Sequence, residues 1–92
     1  MLNTTPLNAT LYATKTGEGA FLASKDVVLP FSPVPGMVFH LPFGSGNPTT
    51  DAVVQSVGYD IEECVLDVNF EPDFPLIEEV VKGKEWRVES TE

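Results

Sequence analysis

Proline and glycine cut this chain into short runs: eight prolines and seven glycines are spread through 92 residues. Proline removes a backbone donor and fixes φ, while glycine opens φ values closed to other residues, so each tends to mark a turn or an end. Between these marks apolar residues mostly alternate with polar ones. That is the pattern of strands and turns rather than of long helices.

Leu7, Ala9, Leu11 and Ala13 alternate with Asn8, Thr10, Tyr12 and Thr14, the period of a half-buried strand. Gly17-Glu18-Gly19 supplies a turn. In the next run Phe21, Ala23, Val27, Leu29 and Phe31 share one parity, and Lys25 breaks it, so a bulge or bend is expected near Ser24-Lys25-Asp26. Pro30 closes that segment. Pro35-Gly36 suits a type II turn, after which Met37, Phe39, Leu41 and Phe43 define a third strand with its aromatics on one face. Gly44–Asp51 reads as a loop.

A hairpin follows. Val53, Val57, Tyr59 and Ile61 share a parity, with Gln55 among them, and Cys64, Leu66, Val68 and Phe70 share one on the return. A four-residue loop from Ile61 to Cys64 pairs Ile61 with Cys64, Tyr59 with Leu66, Val57 with Val68 and Gln55 with Phe70. Beyond Pro72, Asp73 or Phe74 can cap a helix with Pro75 in its first position. Leu76, Ile77, Val80 and Val81 form its apolar stripe, and Gly83 can end it in the left-handed conformation. Glu85–Glu89 alternates again as a last strand, with Trp86 and Val88 inward and Trp86 a core anchor.

The expected fold is therefore mainly β (α+β). It is a small antiparallel sheet or half-open barrel of five to six strands, with one short helix before the last strand. Residues 1–92 form a single domain with frayed ends at about 1–6 and 90–92. An apolar share of 42% supports a modest folded core, with a stability of about 5–8 kcal/mol.

Charge narrows the function. Fourteen acids against five bases give −9. Lys15, Lys25, Glu18 and Asp26 cancel in the first half, so the whole excess lies in the second. From Asp60 to Glu79 there are eight acids and no base. Such a field repels phosphate, so direct binding to nucleic acid or to an anionic membrane is not expected. No run approaches the ~20 apolar residues of a membrane span. Met1–Lys15 lacks the basic and apolar regions of a signal peptide. Cys64 alone allows no internal disulfide, which points to a reducing, cytoplasmic setting, and the Asn3 and Asn8 glycosylation patterns read as chance.

No catalytic centre emerges. His40 and Cys64 fall on opposite parities, against a nucleophilic pair. One His and one Cys cannot build a zinc site, and the acid clusters lack EF-hand spacing, so no metal or cofactor is expected. Asp67 and Glu71 lie two pleats apart on a sheet face with no sign of a pocket. Gly44-Ser45-Gly46-Asn47 lacks the Lys and the helix start of a phosphate loop. Phe21, Phe31, Phe39, Phe43, Tyr59, Phe70 and Trp86 fit inward parities and read as core.

By elimination the expected function is non-enzymatic: a small acidic protein-binding module or inhibitor. Its hairpin face, Asp60, Glu62, Glu63, Asp67, Glu71 and Asp73, would meet a partner's basic surface. A sharper form is nucleic-acid mimicry, in which carboxylates occupy phosphate positions, as in small inhibitors of viral or mobile-element origin. The alternative is a structural subunit of a larger assembly, such as a phage particle, associating through strand edges.

Overall fold

In the computed structural model, which describes residues 6–44, 47–83 and 85–90, the alternating runs form six strands and one short helix. The strands are β1 (Leu7–Lys15), β2 (Phe21–Leu29), β3 (Val38–Pro42), β4 (Thr49–Asp60), β5 (Val65–Phe70) and β6 (Arg87–Ser90). The helix α1 (Ile77–Val81) precedes β6. The fold is mainly β, as the pattern implies. Among the described residues no helix is long and apolar enough to cross a membrane.

The strands form one sheet in the order β3-β4-β5-β1-β2-β6, and the sheet does not close into a barrel. It is mixed rather than purely antiparallel, because β5 lies parallel to β1. Hairpin signals fix neighbours close in sequence but do not say which distant strand β5 joins. The inward parities do match there: Ala9 faces Leu66 and Leu11 faces Val68.

The β4–β5 hairpin pairs Tyr59 with Leu66 and Val57 with Val68, as expected. The expected Gln55–Phe70 pair is replaced. A bulge at Gln55 sets Val54 opposite Phe70, and beyond it β4 presents Thr50, Ala52 and Val54 to the core. The one-residue insertion turns polar Gln55 outward and leaves Val54 1% exposed. The bulge is also where β4 changes partner. Its first half pairs with β3 and its second with β5. Because β4 begins at Thr49, it takes in residues expected in the Gly44–Asp51 loop.

In β2 the expected bulge is absent. Its pairing with β1 runs without interruption from Leu7↔Leu29 to Lys15↔Phe21, so Lys25 points to the core side. The Pro35-Gly36 turn forms as expected: Gly36 has φ 92, and the Met37 amide donates to the Val34 carbonyl at 3.1 Å.

The helix is shorter than expected. Leu76 stands at its N-cap in the left-handed region (φ 60) and is exposed, while Phe74 takes the expected inward place. Pro75 lies outside the helix, its carbonyl accepting a bond from the buried Thr50 hydroxyl at 2.7 Å. Gly83 does not take the left-handed conformation. The last strand begins one residue after Trp86, which is only part-buried, and Val88 within it is 50% exposed, because β6 is an edge strand. Met1–Thr5, Thr91 and Glu92, where frayed ends are expected, lie outside the described residues.

The core gathers Ala9, Leu11 and Ala13 of β1, Val54, the inward side of β5, and Ile77, Val80 and Val81 of α1. Phe70 sits at its centre. Its ring lies 5.3 Å from Phe39 and 6.0 Å from Phe74, both edge-on.

Candidate functional site

The β4–β5 turn is built by Asp60. Its side-chain Oδ1 accepts the Glu62 and Glu63 amides, both at 3.0 Å, and its carbonyl accepts the Cys64 amide at 2.7 Å. Cys64 closes the turn at φ 58. The turn extends past the last β1–β5 pair, Ala9↔Leu66. Two residues expected inward are therefore uncovered: Tyr59 is 57% and Ile61 82% exposed. Cys64, also expected inward, is exposed. Glu62 and Glu63 flank this apolar pair, exposed. The Tyr59 hydroxyl is held above its ordinary pKa, first by its hydrogen bond with the Cys64 side chain and then by partial desolvation.

The other three candidate acids lie apart from the tip. Asp67 sits on the outer sheet face, partly buried, and faces Thr10 across the parallel pair. Neighbouring Tyr12 is pushed above its ordinary pKa, first by burial, then by the charge of Asp67 and a hydrogen bond to it. Glu71 is exposed just beyond β5, its amide donating to the Val53 carbonyl. Asp73 is a clamp. Its carboxylate accepts the Thr16 amide at 2.9 Å and the Thr16 hydroxyl, and its own amide donates to the Thr14 carbonyl. These bonds hold its carboxyl below the usual aspartate range, the Thr16 side chain first. The tip and the Glu71–Asp73 end are separated by β5, about 17 Å long.

Among the described residues the ion pairs all lie elsewhere: Lys25–Glu85, His40–Asp51, Lys82–Glu79 and Arg87–Asp26. Asp26 is held below its ordinary value, first by its bonds from Arg87 and next by the Thr10 hydroxyl. His40 and Cys64 are kept apart by the stretch of β4 from Asp51 to Asp60, about 30 Å. Asp67 and Glu71 are about 13 Å apart along the chain, beyond the spacing of a glycosidase pair.

A second feature was not foreseen from the sequence. Between α1 and the inner face of the sheet runs a groove of about 850 Å³. Its floor and walls include Leu11, Leu29, Phe39, Leu41, Phe43 and Trp86, and Lys25 enters it from β2. The broken parity at Lys25 was the signal available for it.

Comparison with protein-family models finds no match, and comparison with curated proteins and with solved structures finds none either.

Proposed function

We propose that the chain is a non-enzymatic binding module or inhibitor that meets a basic protein surface with the tip of its β4–β5 hairpin. One observation carries this reading. Tyr59 and Ile61 stand uncovered beside Glu62 and Glu63, whose carboxylates have no ion-pair partner among the described residues. Exposed apolar side chains ringed by charge have the anatomy of an interface, an anchor within a polar rim. The apolar pair favours contact with a folded protein surface over strict phosphate mimicry, which needs carboxylates alone.

A second reading is a subunit that assembles through sheet edges. It rests on the half-exposed Val38 of β3 and Val88 of β6, both on edge strands.

A pull-down from the source cell lysate separates the two. The bait is the whole chain, compared with Glu62→Lys/Glu63→Lys at low and high salt. Both Glu side chains are exposed and neither holds the turn, so the variant keeps the fold. The expected result is a protein retained by the parent at low salt, released at high salt and absent from the variant. Identical capture by parent and variant at both salts would remove the hairpin reading. Salt-insensitive self-association would favour the edges.

A further inference from the structure

Lys25 is the one residue that breaks the inward parity of β2, and no bulge relieves it. It stands opposite Leu11, which is 4% exposed, on the same face of the sheet. Its aliphatic stem can follow that apolar floor, and the side chain lines the groove with its ammonium toward Glu85. The side chain is only 26% exposed. Its ion partner, Glu85, is 3.8 Å away and 77% exposed. A pair that long and that solvated is a weak one. Among the described residues the Lys25 ammonium makes no hydrogen bond, although it carries three donors. The other charged pair on the rim, Glu79 and Lys82, is already joined at 3.1 Å.

We infer that the groove is a binding site for a small amphipathic carboxylate, with its acyl chain or ring between the sheet and α1 and its carboxylate on Lys25. The volume lies within the range of small-molecule sites. The aromatic and aliphatic walls suit an apolar body, and Lys25, the one weakly partnered cation among the described lining residues, selects an anionic head over a neutral or cationic one. A residue that violates local pattern without repair is expected where binding requires it. This inference is independent of the hairpin proposal, since it concerns the inner face and not the tip.

Decanoate, kept below its micelle concentration, tests it on the whole chain. The single tryptophan, Trp86, lines the groove and reports binding by fluorescence, and amide shifts locate it. The expected result is saturable one-to-one binding with shifts at Leu29, Leu41 and Trp86. Decanol should bind about tenfold more weakly. Lys25→Met should reduce decanoate to the decanol level, and Glu85→Gln, which removes the competing carboxylate, should tighten it two- to threefold, roughly the worth of an exposed ion pair. The Glu85 substitution lies on an exposed side chain and stands as a test should Lys25→Met fail to fold. Four results would each overturn the inference: no saturable binding, shifts outside the groove, decyltrimethylammonium binding as tightly as decanoate, or Lys25→Met binding decanoate like the parent.

Discussion

Asp73 and Asp26 are acids whose environment gives them structural work. Asp73 joins the segment before α1 to the end of β1 through Thr16, and Asp26 joins β2 to β1 and β6 through Thr10 and Arg87. Both are depressed below the ordinary aspartate value. In the window between the folded and unfolded pKa values the unfolded chain binds more protons, so stability falls as pH falls. Their contribution is complete above the unfolded value of about 3.9 and is lost as pH drops through the depressed folded values. Asp73→Ala and Asp26→Ala should each lower the thermal midpoint at pH 7 and flatten its decline below pH ~4. Circular-dichroism melts from neutral to acid pH measure this, and an unchanged acid limb would refute it. At the apolar residues, burial sets the cost. Phe70→Ala should cost about 3–5 kcal/mol in urea unfolding. Trp86→Ala should cost only about 1–2 kcal/mol, because the ring is half-buried. Parity alone ranks these two aromatics equally, since alternation reports which side a residue faces and not whether anything covers that side. Tyr59, Ile61 and Val88 were misjudged for the same reason.

At the scale of elements, β4 accommodates one residue, Gln55, that pairs with nothing in the ladder. An unbroken ladder with Gln55 opposite Phe70 would turn Asp51 and Val53 inward in place of Ala52 and Val54, and the bulge prevents this by leaving Gln55 unpaired. Deleting Gln55 leaves Val54 opposite Phe70 and Ser56 opposite Asn69 as consecutive pairs, so the deletion variant should still fold with the same inward side chains. Gln55→Ala, which keeps the residue count, should stay within about 0.5 kcal/mol of the parent. The dispersion of the amide spectrum checks both variants, and an unfolded deletion variant would show that Gln55 does more than take up the extra position in the ladder. The strands, the Pro35-Gly36 turn and the register near Tyr59–Leu66 were legible because each rests on neighbours in sequence. The parallel β1–β5 pairing was not, because it joins strands more than fifty residues apart. The helix start was misplaced because a tertiary bond, Thr50 to Pro75, and a left-handed Leu76 override the local capping signal.

Across the whole molecule, two separate places combine charge with apolar surface, the hairpin tip and the groove. Glu62 and Glu63, without an ion-pair partner among the described residues, lie at the hairpin tip, and the groove opens between the inner sheet face and α1. Of the six acids picked out in the sequence, Glu62 and Glu63 remain available at the tip, while Asp60 and Asp73 are committed to turn and clamp. If the tip is the binding surface, its two kinds of side chain should act on different rates. Exposed charges steer encounter, whereas a seated apolar anchor sets how long the complex lasts. Association and dissociation rates with the captured partner, measured across salt for the parent, Glu62→Lys/Glu63→Lys and Ile61→Ser, test this most directly. The charge reversal should slow association about tenfold or more at low salt and leave dissociation within about twofold. Ile61→Ser should do the opposite, speeding dissociation with little effect on association. Rates indifferent to salt and to both substitutions would contradict the account, leaving the acidic hairpin a device for solubility.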